Sequence, residues 1–342
     1  MNRDKVRGMF LGIAIGDALG MPAETFTAEK IQNKFGRITK YLRPDGHQWY
    51  RGRLEGTWTD DTQLSLVVAE SLIEKKAIDL DDLAARHIET FCRCNVGWGG
   101  SSRDAVMRLA AGIHWSESGI PKKEGRGTGN GVAMKVAPVG AYFASIWDLL
   151  REGDGSPEVY DAIANLTFMT HKTGMALVSA WAQIYAVEYC LNASPDKFSR
   201  SAFLLAVWSG IWHAHGIQFA WEKDNPDNLS ERLENLSRIE FLNIKPEKIA
   251  ELFGGGTSYV YNSLPFSYTF FLRNPRSIEA LYDVVNAGGD TDSNGSIVGA
   301  LLGALNGTKI FPEDLVNGLW RKDEILKAAD NFCDAFNIGE AQ

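Results

Sequence analysis

The stretch Gly8-Met9-Phe10-Leu11-Gly12-Ile13-Ala14-Ile15-Gly16-Asp17-Ala18-Leu19-Gly20 carries a glycine at every fourth position. Gly295, Gly299, Gly303 and Gly307 repeat the spacing near the other end of the 342-residue chain. On an α-helix this spacing stacks the glycines on nearly one face. Each glycine inside a helix costs about 1 kcal/mol relative to alanine. Close backbone approach between helices, the small-x-x-x-small contact, is the natural offset. Both segments are therefore expected to be central helices that anchor the acidic motifs beside them. Outward from them, helix-start signals recur. Ser156-Pro157, Ser194-Pro195 and Phe311-Pro312-Glu313-Asp314 put proline at or near a first turn. Asp79 can cap a helix through Leu83, Ile88 and Phe91, and Pro246 opens a short helix that Gly254 can close. Segments 62–76, 157–165, 173–191, 198–213 and 277–287 read at helical spacing, and no run alternates convincingly with period two. Proline is sparse, and apolar periodic segments continue from Val6 to Phe336 with no linker. The expected fold is all-α, a single compact multi-helix domain over residues 1–342.

The formal net charge of −8 excludes broad electrostatic binding to nucleic acid, which needs a basic face. An anionic ligand would have to be held locally by backbone N–H groups, helix N-termini or metal ions, and so would be a small molecule or a single modification. Cys92, Cys94, Cys190 and Cys333 form no C-x-x-C pair and no evident disulfide framework. Reduced cysteines and a cytoplasmic location are expected. Arg3, Lys5 and Arg7 ahead of Met9–Ile15 imitate a signal peptide, but the run is short, broken by Gly12 and followed by Asp17. Nothing elsewhere approaches the ~18 uncharged apolar residues of a spanning helix, so no membrane association is expected.

Two acidic clusters carry the chemistry. Thr57-Trp58-Thr59-Asp60-Asp61-Thr62 precedes one helix, and Gly288-Gly289-Asp290-Thr291-Asp292-Ser293-Asn294-Gly295 precedes another. Asp and Thr before a helix are also ordinary N-caps, but a cap needs one oxygen. Adjacent carboxylates repel unless a cation or proton intervenes, and hard oxygen ligands suit Mg²⁺, Mn²⁺ or Ca²⁺. The second cluster lacks the third ligand, glycine spacing and distal glutamate of an EF-hand loop. Neither half alone is a good site. Together they offer four carboxylates and two or three hydroxyls, enough for two octahedral cations with water between them, which activates water or polarises a leaving oxygen. Three glycine-rich loops, Gly97 to Ser102, Gly125 to Gly131 and Gly254 to Ser258, accompany them, none in the strand–G-x-G-x-x-G context of a Rossmann fold.

These motifs, together with Gly12–Gly20, Glu24, Gly129-Asn130-Gly131-Val132-Ala133-Met134 and Thr170-His171, resemble the ADP-ribosylglycohydrolases, including the dinitrogenase-reductase-activating enzymes. Order and separations match over nearly the whole chain. The resemblance implies an all-α fold with two Mg²⁺ or Mn²⁺ ions held by Thr59, Asp60, Asp61, Asp290, Asp292 and Ser293, the last commonly Thr in the family. It implies that backbone N–H groups cradle a diphosphate. Gly99, Gly100, Ser101, Ser102, Gly129, Asn130, Gly131, Met134, His171, Gly256, Thr257, Ser258 and Tyr259 would face ADP-ribose, with Tyr259 a candidate to stack on adenine. Lys135 stands where Arg is often found, weakening a bidentate phosphate contact. Glu24 matches a flap position and would orient ligand or water, or cap the helix at Thr27. His213 and His215 lack the spacing of a helical zinc site and read as structural.

The reaction implied is hydrolysis at the anomeric carbon of the distal ribose, with Asp60, Asp61 or Asp292 accepting a proton and Glu24 assisting. The expected partners are ADP-ribose and ADP-ribosylated protein, arginine being the acceptor. Serine-linked or small O-linked ADP-ribose, another nucleotide or glycoside, and a non-catalytic binding or structural descendant stay open.

Overall fold

The computed structural model describes residues 1–123, 125–146, 156–218 and 227–340. Its helices are α1 (Arg3–Gly20), α2 (Ala28–Phe35), α3 (Asp60–Lys75), α4 (Leu80–Arg93), α5 (Gly100–Ala110) and α6 (Trp115–Ser118). Then come α7 (Ala137–Ser145), α8 (Ser156–Phe168), α9 (Gly174–Asn192), α10 (Arg200–Gln218), α11 (Leu229–Glu234) and α12 (Pro246–Leu252). The chain closes with α13 (Val260–Arg273), α14 (Glu279–Asn286), α15 (Thr291–Asn306), α16 (Glu313–Gly318) and α17 (Lys322–Ala335). Among the described residues there is no β-strand, only isolated bridges pairing Thr27 with Gly288 and Gly129 with Tyr259. The fold is all-α, and its buried side chains form one continuous core from Val6 to Ile338.

The glycine faces decide how that core is organised. Helices α1 and α15 run antiparallel with their backbones in contact: a Cβ on Gly12 would lie 1.9 Å from Gly299 O, and one on Gly16 would lie 2.0 Å from Gly295 O. Reciprocally, a Cβ on Gly299 would lie 2.0 Å from Gly12 O, and one on Gly303 would lie 1.9 Å from Gly8 O. Two ends of the repeat differ from expectation. Gly20 faces Thr291 rather than a glycine, and the Thr291 hydroxyl donates to Gly20 O at 2.7 Å. Gly307 lies past α15 at φ 75°, where it ends the helix and leaves room for the Asp4 carboxylate. Around this pair pack α17 on α1, and α9, α13 and α14 on α15. The span Arg3–Ala23 has the length and composition of a membrane helix, yet nearly all of it is buried within the protein as a core helix.

The caps follow the local sequence. Asp79 caps α4 by accepting from Asp82 N–H, Thr27 caps α2 with its own hydroxyl, and Pro246 occupies the first turn of α12. The stretch Gly97 to Ser102 is not wholly a loop: Gly100, Ser101 and Ser102 form the first turn of α5. Helix α7 has Pro138 in its first turn, a start signal not singled out in the sequence, whereas α13 and α17 carry none of that kind, and α13 even holds Pro265 inside it. All four cysteines are free. His213 stacks on Tyr160, Trp181 and Tyr185, and His215 Nε2 meets Ser230 Oγ at 2.9 Å, so both serve packing.

Candidate active site

The α1–α15 contact brings the two acidic motifs together, and Asp17 completes the alignment. Asp17 is fully buried on α1, and its carboxylate accepts from Thr59 N–H and Oγ1 (both 2.9 Å), Thr62 N–H (3.0 Å) and Thr62 Oγ1 (2.6 Å). One side chain of α1 thereby caps the N-terminus of α3, and Thr59, at the N-cap position, makes no capping bond of its own. The Thr59 hydroxyl hydrogen is committed to Asp17, which leaves its oxygen lone pairs available to a ligand. At the start of α15, the Thr291–Gly20 bond fixes the second motif against the same helix.

Carboxylate oxygens of Asp17, Asp61 and Asp292 lie within 4.8 Å of one another, and so do those of Glu24, Asp290 and Asp292. Asp292 belongs to both groups. Ser293 Oγ reaches Asp61 Oδ2 at 3.3 Å across 232 residues of chain. Asp60 lies buried beside them, with Gly97 approaching so closely that a Cβ there would be 2.5 Å from its Oδ1. Glu24 stands at the end of a short 3₁₀ turn that continues α1, and joins the acidic cluster rather than capping at Thr27.

Several neighbours hold these carboxylates in place. Asn130 donates from Nδ2 to Asp290 Oδ2 (2.7 Å) and to Ser263 Oγ (3.1 Å), so its amide nitrogen holds Asp290 in place. Gly256 O accepts from Asp290 N–H (3.0 Å) and Asn294 Nδ2 (2.6 Å), tying the Gly254–Gly256 turn to the start of α15. Gly254, Gly255 and Gly256 all have positive φ, the region glycine tolerates, which lets this turn sit on Gly289. Tyr50 was not read from the sequence. Its phenol is 3.4 Å from Asp292 Oδ2 and also bonds Glu24. Its ring stacks on His47 at 4.8 Å, and His47 Nε2–H donates to Glu24 O. A lone tyrosine in an irregular segment leaves no periodic signal, whereas Asp17 sat inside a quoted motif but its capping role needs α3 beside α1.

Burial raises every carboxyl of the group. Asp17 is pushed to about 6 despite four donors, Asp60 to about 8 and Glu24 to about 8, with neighbouring carboxylates adding to the last two. Asp61 and Asp292 rise well above the ordinary aspartate range for the same reasons, and the Tyr50 phenol rises too. Asp61 Oδ1 and Glu24 Oε2 are buried without a hydrogen-bond partner. Buried orphan oxygens in an all-oxygen, like-charged cluster are what a hard divalent cation satisfies. The residues present fit such ions.

This charge state has a measurable consequence. In the metal-free protein, Asp60 holds its proton up to about pH 8, against an ordinary value of 3.8. Between those values the native state binds the extra proton, so stability falls as pH rises. Asp60→Asn is therefore expected to gain in melting temperature over the wild type, in chelator, progressively from about pH 4 to about pH 8. A difference that is flat across that window would refute the raised carboxyl.

The expected substrate residues divide. His171 is buried, and its ring lies 3.0 Å from a Cβ placed on Gly131, so His171, Gly129 and Gly131 form one wall. The loops 127–131 and 256–260 are bonded through Asn130 N–H to Ser258 O (2.9 Å) and Val260 N–H to Thr128 O (3.0 Å). Thr257 and Ser258 are exposed, Gly256 is buried and Tyr259 is half-buried, with its phenol on Asp227 Oδ2 at 2.7 Å. Ser101 Oγ accepts from Gly127 N–H, Ser102 is buried behind Gly131, and Gly99 N–H bonds Asp60. Gly100 lies under the Arg126 guanidinium. Met134 Sδ lies 3.7 Å from Ser293 Oγ, beneath the acidic cluster. Lys135 is fully buried, with its ammonium between His87 on α4 and Thr170 just past the end of α8, behind His171.

Known proteins are similar to this chain over nearly its whole length. An uncharacterised protein of Archaeoglobus fulgidus is 28% identical over 92% of this chain and 92% of its own. The ADP-ribosyl-[dinitrogen reductase] glycohydrolase of Rhodospirillum rubrum is 26% identical over 94% of this chain and 92% of its own. A chain of a solved ADP-ribosylglycohydrolase-related protein complex superposes with a TM-score of 0.68 at 23% identity, covering 98% of each chain, which shows the shared fold. The model of one family, ADP-ribosylglycohydrolase, matches residues 1–341. The chain that brings these carboxylates together thus belongs to the ADP-ribosylglycohydrolases and is a hydrolase that removes ADP-ribose.

Proposed function

We propose that the cluster holds two Mg²⁺ or Mn²⁺ ions through Thr59, Asp60, Asp61, Asp290, Asp292 and Ser293, and that the enzyme cleaves ADP-ribose from arginine on a modified protein. The observation that carries this reading is Asp292, shared by two carboxylate groups that each gather within 4.8 Å. Bound there, the cations would supply positive charge that acidifies a water and polarises ribose hydroxyls.

The chain's own residues do the rest. Asp60, Asp61 or Asp292 accepts a proton from the attacking water, each a carboxylate whose proton affinity burial has raised towards neutrality or beyond. Glu24, bonded by Tyr50 and with one oxygen free, orients water or ligand at the edge of the cluster. Positive charge developing at the anomeric carbon suits a pocket lined by carboxylates. His171 with Gly129 and Gly131 offers a wall for the nucleotide half. A cationic guanidinium acceptor is favoured by the same acidic cleft, and the Rhodospirillum relative is named for a protein acceptor.

The test is release of ADP-ribose from arginine-modified and serine-modified protein in parallel, with Mg²⁺, with Mn²⁺ and with chelator. Release from the arginine substrate at least ten times faster, and lost in chelator, is the expected result. Faster release from the serine substrate would move the acceptor to O-linked ADP-ribose. Undiminished release in chelator would reject the two-metal assignment.

A further inference from the structure

Lys135 is fully buried, and its ammonium forms no ion pair among the described residues. Nζ lies 3.0 Å from Thr170 Oγ1 and 3.4 Å from His87 Nε2. A buried ammonium without a carboxylate partner is costly, and filling a core does not require one.

The donors and acceptors around it leave one arrangement of hydrogens. A carbonyl only accepts, so His87 Nδ1, 2.7 Å from Leu83 O, carries the ring hydrogen and its Nε2 is bare. An ammonium only donates, so Lys135 gives hydrogens to His87 Nε2 and to Thr170 Oγ1. Were Thr170 Oγ1 to accept from His171 Nδ1–H as well, its own hydrogen would be buried with no other acceptor among the described residues, so that hydrogen goes to Nδ1 of His171, 3.0 Å away. Burial, with Lys135 adding to it, lowers both imidazoles to about 3, so each is neutral and carries a single ring hydrogen. On His171 that hydrogen sits on Nε2, the nitrogen turned to the glycine loop: a Cβ on Gly131 would lie 3.2 Å from it, and one on Gly129 would lie 3.9 Å from it.

We propose that Lys135 is a positioning residue: through Thr170 it holds His171 as the Nε2–H tautomer, so that the wall at Gly129–Gly131 presents a fixed hydrogen-bond donor to an oxygen of bound ADP-ribose. The tautomer rests on these contacts with Lys135 protonated, and the identity of its acceptor rests on the ADP-ribose reading above. A histidine held this way loses no orientation on binding and does not present its lone pair to an anionic oxygen.

The test uses purified protein with ¹⁵N-labelled histidine, without nucleotide. It is run at pH 6, because burial brings Lys135 down to about 7. Long-range ¹H–¹⁵N correlation reads the tautomer, and His171 is assigned by its loss in His171→Gln. The wild type is expected to show Nε2–H. Thr170→Val cuts the relay at nearly constant volume, and is expected to give mixed tautomers and an ADP-ribose Kd weaker by about tenfold, the loss of roughly one hydrogen bond to a charged group. Thr170→Ser should restore both. Lys135→Met should act like Thr170→Val and Lys135→Arg should recover. If Lys135→Met fails to fold, Thr170→Val with a native melt carries the test. An Nδ1–H imidazole in the wild type, or an unchanged tautomer in Thr170→Val, overturns the relay. A changed tautomer with unchanged ADP-ribose affinity overturns the donor role. Because the tautomer is read without turnover, absence of ADP-ribose release would sink the enzymatic reading and leave this result standing.

Discussion

Asp292→Asn is expected to lower turnover on the order of a thousandfold or more while leaving the protein folded. The side chain is shared by both carboxylate groups, so its loss weakens both at once. The amide keeps the shape and one oxygen for Ser293 N–H, 3.0 Å from Oδ1 in the native chain. What it removes is charge. Cation affinity, measured by titration calorimetry with Mn²⁺, should fall with turnover. In chelator the variant should melt no lower than the wild type, and above it near neutral pH, because the wild type there must either take up a proton at Asp292 or bury its charge among carboxylates. Retention of more than a tenth of the wild-type rate in saturating Mg²⁺ would dismiss Asp292 as a ligand.

The second large effect lies away from the chemistry. Gly299→Leu and Gly16→Leu should each destabilise by about 3 kcal/mol or more, the upper end of overpacking, and are expected to prevent folding outright in part of the population. The clash begins at Cβ, 2.0 Å from a carbonyl oxygen on the facing helix in each case. No rotamer relieves it, and the obstacle is backbone rather than a movable side chain. Gly299→Ala should therefore already shift the urea midpoint down. Gly216→Ala, in α10 with open space around it, should leave stability unchanged or raise it by up to about 1 kcal/mol. Equal midpoints for Gly299→Ala and Gly216→Ala would show that α1 and α15 can separate freely. Metal affinity should fall with stability in the Gly16 variants, because Asp17 is its neighbour and positions α3.

The parts legible in the sequence were those where a local cost had no local explanation. Glycines every fourth residue are unfavourable in a helix, and Asp60 beside Asp61 is unfavourable at a helix start, so each pattern pointed to a partner elsewhere. Those partners proved to be one another's neighbours. What stayed hidden has no local cost. Asp17 looks like a polar residue near a helix end until α3 is packed against it. Tyr50 reaches Asp292 from a segment with no periodicity. Asn130 reads as a ligand contact through the family resemblance, and that its Nδ2 also holds Asp290 and Ser263 shows only in the packed chain. Lys135 was read beside a phosphate loop, and only the packing of α4 and α8 reveals a buried ammonium. Helix α13 was masked by Pro265 and its polar, aromatic composition, and α5 by the glycines of its first turn.

The pairing of α1 with α15 also shapes how the chain is born. The bond from Thr291 to Gly20 spans 271 residues, so α1 leaves a ribosome long before its mate α15. At about 5–20 residues per second, that interval is on the order of tens of seconds. Throughout it, a continuous apolar segment with a bare glycine backbone stripe has no permanent cover. Holding factors that shield nascent apolar segments would compete for this helix during synthesis, and its commitment to the core waits until α15 has been made.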